Sequence, residues 1–135
     1  MGIILDADVV IGGERGELDL AAWIATHPDD DFAIAAITVA ELWHGVERAS
    51  LPHRLHRERY LRAVLDALPI IPYTEQIAYQ HTRVWALLES SGTMIGAYDL
   101  IVAATALDRG SAVATFNRRH FSGVPGLKIL RPGKD

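Results

Sequence analysis

The sequence predicts an α/β fold in which helices flank a small, mainly parallel β-sheet. Short apolar runs, such as residues 2–6, alternate with longer segments whose apolar residues recur at helical spacing, such as residues 75–90. This alternation is typical of parallel strands that are joined by helical crossovers. We therefore expect a layered architecture.

The predicted elements follow each other without repeats, linkers or low-complexity segments. Strands are predicted over residues 2–6, 32–37, 70–71 and 111–115, with a fifth over 127–130. Helices are predicted over residues 18–26, 38–49, 53–68, 75–90 and 98–108. Gly12-Gly13 indicates a break after the first apolar segment, and Gly92 and Gly110 indicate the ends of the last two helices.

Length and composition predict one cytoplasmic domain over residues 1–135. At 50% hydrophobic and 22% charged residues, the chain has enough apolar side chains for a core. No apolar run reaches the roughly 20 residues that a membrane-spanning helix needs, and the N-terminal apolar run lacks the preceding basic segment of a signal peptide. The lack of cysteine excludes disulfides and thiolate metal sites, and it fits a reducing compartment.

The net charge of −4 argues against a protein that grips nucleic acid by bulk electrostatics. Of the 13 basic residues, only Lys128 and Lys134 are Lys, and the others are Arg. Arg suits bidentate contacts with phosphate, so that a few well-placed side chains could bind RNA. Genomic base composition explains the preference for Arg equally well.

Three acidic residues lie inside apolar segments, where a carboxylate is costly. Asp6 follows the first predicted strand, Glu41 lies in Val-Ala-Glu-Leu-Trp, and Asp99 opens an apolar helix. Buried carboxylates need a cation, hydrogen bonds or a raised pKa, and a shared Mg²⁺ or Mn²⁺ would satisfy all three. Asp6 and residues 38–41 also follow the carboxyl ends of predicted strands, where open α/β sheets bind ligands. The sequence therefore predicts a metal site.

Each acid also has a local structural interpretation. Thr38 and Glu41 fit a capping box, in which both side chains satisfy the first amides of a helix. Asp99 fits an N-cap, and Asp6 or Asp8 fits the cap of a short following helix. Asp8 also fits a fourth ligand or a supporting position beside the ligands. Capping explains any single acid at least as well, but the three together favour a metal site.

At these residues the sequence resembles the PIN-domain family, in its VapC-type toxin branch. Four motifs carry the resemblance, in order and at matching spacing over essentially the whole chain. No single motif is specific, but four in order are. The first motif is an apolar strand that ends in Asp6, with the polar Asp8 two positions on, and the second is a strand that leads into Thr38, Glu41 and Gly45. The third is Asp99 before an Ala-rich helix. The fourth is Thr-x-Asn with a later Phe, at Thr115, Asn117 and Phe121.

The resemblance implies a PIN-like three-layer fold and a metal-dependent endoribonuclease. In the family pattern, Asp6, Glu41 and Asp99 would hold Mg²⁺ against a phosphate oxygen and lower the pKa of a bound water for in-line attack. The second residue of the first motif is more often Asn or Ser, so that Asp8 is a departure.

The last motif implies the residues that handle the substrate. Thr115 and Asn117 would orient the water or the phosphate. Arg118 and Arg119 would contact RNA phosphates, although a solvated loop explains these two equally well. Many family members carry Asp where this chain has the uncharged Asn117. The resemblance therefore implies one firm Mg²⁺ site rather than two.

The resemblance also implies a homodimer and a cognate VapB-type antitoxin whose segment lies in an apolar groove. Trp43, Val46 and residues 53–68 are candidates for lining that groove, although aromatic side chains are more often core. Neither the RNA that is cut nor the antitoxin follows from the sequence. His53 and His56 are spaced like a metal pair, but their charged helix favours a solvated face.

Two other functions remain open. Asp6 and Asp8 fit a phosphatase of the haloacid dehalogenase type, with Asp6 as the nucleophile and Asp8 as the general acid. That chemistry also needs a lysine and a second pair of acids, which this sequence does not supply at suitable places. Asn117 leaves open a PIN fold that binds RNA or a partner without cutting it.

Overall fold

The computed structural model describes residues 1–133. Within them, five parallel strands form one sheet in the order β3-β2-β1-β4-β5. The strands are β1 (Gly2–Leu5), β2 (Asp31–Ala35), β3 (Ile70–Ile71), β4 (Ala112–Ala114) and β5 (Ile129–Leu130). The helices are α1 (Ala7–Glu14), α2 (Leu20–Ala25), α3 (Ala36–Arg48), α4 (Leu51–Ala67), α5 (Glu75–Ser91) and α6 (Ala97–Arg109), and a 3₁₀ turn spans Arg118–His120. The α/β class and the parallel sheet are confirmed.

The sheet divides the core into two apolar clusters because side chains alternate along β1. Ile3 and Leu5 belong to one cluster, and Ile4 belongs to the other. Side chains of α1 to α4 complete the first cluster, and those of α5 and α6 complete most of the second. Helices therefore cover both faces of the sheet, in the three-layer arrangement that the resemblance implies.

The interpretation of Gly12-Gly13 as a break is wrong, because both residues lie inside α1. Here the glycines allow close packing rather than a turn. A Cβ on Gly12 would lie 2.9 Å from the Phe116 ring, and a Cβ on Gly13 would collide with the Tyr60 hydroxyl. Both neighbours are distant in the sequence, so that no local pattern predicts the contact.

Helix α3 begins at Ala36 rather than at Thr38, since β2 ends at Ala35. Ala35 is still extended, with φ −70° and ψ 144°, and no side chain caps the helix. Alanine is a strong helix former, which favours an early start at Ala36. Thr38 therefore lies within the first turn, and the capping-box interpretation of Thr38 and Glu41 is wrong.

The other helix boundaries agree with local signals. Helix α2 is shorter than predicted, because the Asp19 side chain accepts a hydrogen bond from the Ala22 amide at 3.0 Å and caps it. Gly92 and Gly110 end α5 and α6 in the left-handed conformation, with φ 70° and 62°, as expected. Across residues 1–133, no helix is both long and apolar enough to cross a lipid bilayer.

Candidate functional site

The candidate site lies at the carboxyl end of β1, the central strand. β1 pairs with β2 on one side and with β4 on the other, so that the strands that follow β1 in the chain lie on both of its sides. Crevices at such points are the usual ligand sites of open α/β sheets. Asp6 follows β1 and Thr115 follows β4. The Asp6 amide donates to the Ala114 carbonyl at 2.9 Å, which holds the two strand ends together.

Asp6 is buried, with 5% of its surface exposed, and both of its carboxylate oxygens accept hydrogen bonds. Oδ1 accepts from the Ala7 amide at 2.9 Å, which makes Asp6 the N-cap of α1. Oδ2 accepts from the Thr115 hydroxyl at 2.9 Å. Burial raises the pKa of Asp6, although the bond from Thr115 opposes the rise. The capping interpretation is thus correct for Asp6, but the cap uses only one oxygen.

Asp8 lies in the first turn of α1 and binds the loop that follows β4. Its Oδ2 accepts from the Phe116 amide at 3.0 Å and from the Asn117 side-chain amide at 3.1 Å. The Thr115 hydroxyl lies 3.2 Å from the same oxygen, so that Asp8 and Asp6 share its single hydrogen. Burial, reinforced by the charge of Asp6, raises the pKa of Asp8 to about 6. Asp8 therefore supports the loop instead of capping α1.

Glu41 lies on α3 and has one carboxylate oxygen without a partner. Within residues 1–133, Glu41 Oε1 and the Thr38 hydroxyl oxygen one turn earlier are buried and make no hydrogen bond. Burial raises the pKa of Glu41 to about 7, and the charges of Asp6, Asp99 and Asp8 add to the shift. A buried polar atom without a partner is costly, so that this oxygen is available to a cation.

Asp99 lies in the first turn of α6, where Gly96 occupies the N-cap position. The N-cap interpretation of Asp99 is therefore wrong. Its Oδ2 lies 3.1 Å from Nδ1 of His120, and 20% of the Asp99 side chain is exposed. Burial raises the pKa of Asp99, and the adjacent His120 opposes the rise.

The carboxylates converge because α3 packs against both α1 and α6. Beyond burial, Asp99 raises the pKa of Asp6, Asp6 raises that of Asp8, and Asp8 raises that of Asp99. All three raise the pKa of Glu41. Like charges at this range favour protonation or a bound cation. The structure thus brings the three predicted ligands together, with Asp8 beside them.

The donor set suits a hard divalent cation, and the unpaired oxygen of Glu41 offers it a ligand. However, among the side chains of residues 1–133, no three His, Asp or Glu already form a coordination sphere. Asp6 is bonded to Thr115 and Asp99 is paired with His120. A cation would therefore have to draw Asp99 away from His120 and share Asp6 with its donors.

The basic residues expected near the site border the acidic cluster. Arg118 and Arg119 are exposed on the 3₁₀ turn Arg118–His120, whose last residue contacts Asp99. Asn117 precedes this turn, and its backbone amide donates to the Thr115 hydroxyl oxygen at 3.0 Å. His120 was not predicted from the sequence as a site residue. The only signal for its contact with Asp99 is its position three residues after Asn117.

A cavity of about 310 Å³ lies between α1, α3 and α4 and extends to Glu41. Val46 and residues of α4 line this cavity, as the groove interpretation expects. Trp43 is outside it and lies under the guanidinium group of Arg62, 5.4 Å from the ring centre. The apolar and basic lining consists of Ile11, Leu42, Val46, Leu61, Arg15, Arg48 and Arg57.

Comparison with known sequences gives matches over almost the whole chain. The family model described as "PIN domain" matches residues 3–127. "VapC ribonuclease Y4jK" of Sinorhizobium fredii is 33% identical over 96% of both chains. "Ribonuclease VapC1" of Rickettsia felis is 29% identical over 96% of both chains.

Solved structures agree with this assignment. A chain of the DNA-bound VapBC complex from Salmonella typhimurium superposes with a TM-score of 0.87 and 26% identity, covering 97% of this chain and 98% of that one. VapBC-5 from Mycobacterium tuberculosis gives a TM-score of 0.77 and 29% identity, covering 96% and 98%. Together with the order of the acidic motifs, these matches show that the chain belongs to the PIN-domain family, in its VapC branch.

Proposed function

We propose that this protein is a metal-dependent endoribonuclease that hydrolyses phosphodiester bonds of cellular RNA in the cytoplasm. The observation that carries the proposal is the convergence of Asp6, Glu41 and Asp99, with one Glu41 oxygen buried and unpaired. A hard cation satisfies such an oxygen beside other carboxylates. Mg²⁺ is the expected ion, and Mn²⁺ is the expected substitute.

Asp6, Glu41 and Asp99 would hold the cation through carboxylate oxygens. When bound, the cation supplies Lewis-acid chemistry at the phosphate and makes water a stronger nucleophile. In the hydrolysis, the water oxygen forms a bond to phosphorus and gives up a proton, while the bond from phosphorus to a ribose oxygen breaks and that oxygen takes up a proton to become a hydroxyl. The bonds from Ala7 and Thr115 fix the Asp6 carboxylate, which limits its movement during this step.

The loop after β4 would orient the substrate. Asp8 fixes the Thr115 hydroxyl and the Asn117 side chain beside the acidic cluster. The exposed Arg118 and Arg119 would contact phosphates and offset the negative charge of the cluster. Because Asn117 brings no charge, one bound cation is expected rather than two.

The names of the relatives support RNA as the substrate. The relatives from Sinorhizobium fredii and Rickettsia felis are named ribonucleases. A relative from Salmonella typhimurium, 33% identical over 71% of the chain, is named a tRNA(fMet)-specific endonuclease. The specificity for tRNA(fMet) is a property of that relative alone, because residues outside the metal cluster decide which RNA fits.

A cognate VapB-type antitoxin is the proposed partner, with this protein as the toxin. The similar chains from Salmonella typhimurium and Mycobacterium tuberculosis come from VapBC proteins. The cavity between α1, α3 and α4 would receive a segment of the antitoxin, because it is partly apolar and extends to Glu41. Its occupant would then block the acidic cluster. A homodimer is expected from family membership, and sedimentation would measure it.

Cleavage of a labelled single-stranded RNA tests the nuclease proposal. The protein, purified without a partner, is incubated with the RNA in Mg²⁺ or in EDTA. We expect cleavage in Mg²⁺ and none in EDTA. Asp99→Asn should lower the rate by roughly 100-fold or more, because it removes a proposed metal ligand. Asp108→Asn changes an exposed carboxylate on the same helix and should keep the wild-type rate.

Other outcomes would assign other functions. RNA binding in EDTA without any product in Mg²⁺ would indicate a binding module, which the uncharged Asn117 left open. Turnover of an aryl phosphate without RNA cleavage would indicate a phosphatase. Two observations count against a phosphatase: both Asp6 oxygens accept protein hydrogen bonds, and Asp8, its required acid, accepts from the Phe116 and Asn117 amides.

A further inference from the structure

A second cavity, of about 260 Å³, lies beside the acidic cluster between α3 and α6. Its lining residues are Ala40, Glu41, His44 and Tyr98. Ala40 and His44 are four residues apart on α3, so that they lie on the same face of the helix. Tyr98 belongs to the first turn of α6 and directly precedes Asp99. The cavity thus shares Glu41 with the proposed metal site and adjoins Asp99.

The two aromatic residues of this cavity are open to solvent. Tyr98 is 52% exposed, and His44 is exposed as well. Neither ring belongs to the two apolar clusters of the core. Exposed Tyr and His rings are the surfaces on which unstacked bases of single-stranded RNA stack.

Ala40 keeps the cavity open. It is exposed and contributes only a methyl group between the neighbouring side chains. A larger side chain at this position would occupy the space beside Tyr98 and His44. The combination of two exposed rings and one small residue is suited to a flat apolar group.

We infer that this cavity binds one unstacked base of an RNA substrate, next to the scissile phosphate, with Tyr98 and His44 as its stacking surfaces. The inference rests on the proposed endoribonuclease function, because it needs a phosphate at the acidic cluster. A phosphate close to Glu41 and Asp99 leaves the adjoining base within reach of Tyr98. The cavity then contributes to the choice of cleavage site.

Substitutions at Tyr98 separate stacking from the effect of the hydroxyl. Tyr98→Ala should lower kcat/KM for single-stranded RNA by about 5- to 100-fold, the range expected for loss of one stacked base. Tyr98→Phe keeps the ring and should stay close to the wild type. Ala40→Leu fills the cavity and should cause a loss similar to that of Tyr98→Ala. Tyr79→Ala removes a tyrosine of α5 that is 55% exposed and outside the cavity, and it should have no effect.

An abasic substrate tests the contact directly. Once the cleavage position is mapped, the base next to it is removed from a synthetic RNA. The wild type should cut this RNA more slowly by the same factor that Tyr98→Ala loses on intact RNA. Tyr98→Ala should lose nothing further. Independent, multiplicative losses would overturn the inference, because they would show that Tyr98 acts on another part of the RNA.

RNA binding in EDTA, measured by fluorescence anisotropy, distinguishes failure of this inference from failure of the nuclease proposal. If the RNA is bound but never cut, weaker binding by Tyr98→Ala and Ala40→Leu still supports the cavity as a base site. If wild type and Tyr98→Ala cut and bind RNA equally, the inference fails and the nuclease stands. A change in oligomeric state without a change in RNA affinity would assign the rings to a contact between copies and overturn the inference.

Discussion

At the residue scale, Glu41 carries a poorly compensated charge. Burial and three neighbouring carboxylates raise its pKa to about 7, while no hydrogen bond reaches Oε1 from residues 1–133. Glu41→Gln removes the charge. After allowance for solvent screening, it should raise the free energy of unfolding of the metal-free protein by about 1 kcal/mol and its melting temperature by roughly 3–5 °C. Thermal denaturation in EDTA at pH 8 measures this, with the exposed Glu89→Gln as a control. A lower melting temperature for Glu41→Gln would contradict the account of its charge.

Asp8 also has a raised pKa, but unlike Glu41 Oε1 its Oδ2 accepts hydrogen bonds from protein donors. Asp8→Ala leaves the Phe116 backbone amide and the Asn117 side-chain amide without their acceptor and should destabilise the fold by about 1–3 kcal/mol. Asp8→Asn keeps one acceptor oxygen and should cost less. Urea denaturation at pH 4, where Asp8 is protonated in the folded protein, compares the two variants without the cost of its charge. Equal stability of Asp8→Ala and the wild type would show that Asp8 does not hold the loop.

At the element scale, the packing of α1 depends on glycine. Gly13→Ala forces the Tyr60 hydroxyl away from the Val10 carbonyl, to which it donates at 2.7 Å. A Cβ on Gly45 of α3 meets nothing within 4 Å, so Gly45→Ala should stabilise the protein by about 0.5–1 kcal/mol. Gly13→Ala should be less stable than Gly45→Ala by about 1 kcal/mol or more. Calorimetry tests the order, and equal melting temperatures would contradict it.

These glycines also show how far sequence predicts elements. Gly92 and Gly110 could be identified as helix ends, because one left-handed residue ends a helix whatever packs against it. Gly12-Gly13 gives the same local signal, yet both residues lie inside α1, where Gly12 packs against Phe116 and Gly13 packs against Tyr60. The contacts that decide between the two outcomes are tertiary, and the sequence pattern does not contain them.

The same limit applies to the site. Asp6, Glu41 and Asp99 could be predicted to meet, because the carboxyl ends of parallel strands share one edge of the sheet. The pairing of Asp99 with His120 could not, since it depends on the course of the loop after β4. For Glu41, the capping interpretation failed because α3 begins at Ala36, a boundary that the apolar run from β2 into α3 conceals.

At the scale of the whole molecule, the raised pKa values link stability to pH. In the folded protein, the pKa of Glu41 is about 7 and that of Asp8 about 6, against ordinary values of 4.5 and 3.8. Raised values mean that the folded state binds protons more readily than the unfolded state. Stability is therefore greatest below the ordinary pKa values and is lost as pH rises through the folded ones.

The metal-free protein should thus lose stability between about pH 4 and pH 7, as these two groups ionise. Melting temperatures in EDTA across this range measure the loss. Glu41→Gln should flatten the upper part of the profile, because it removes the group whose folded pKa is about 7. A melting temperature that rises steadily up to pH 7 would contradict the assignment of these acids as destabilising in the absence of a cation.

The proposed function requires one cation that is shared by three carboxylates, and calorimetric titration of Mn²⁺ into the metal-free protein at pH 8 measures its binding. Saturable binding of a single ion per chain is expected, and its affinity should fall as the pH is lowered through the pKa of Glu41, about 7. Binding should be lost in Asp6→Asn and Asp99→Asn and retained in Asp108→Asn. No saturable binding to the wild type, or binding that survives both Asp6→Asn and Asp99→Asn, would contradict it.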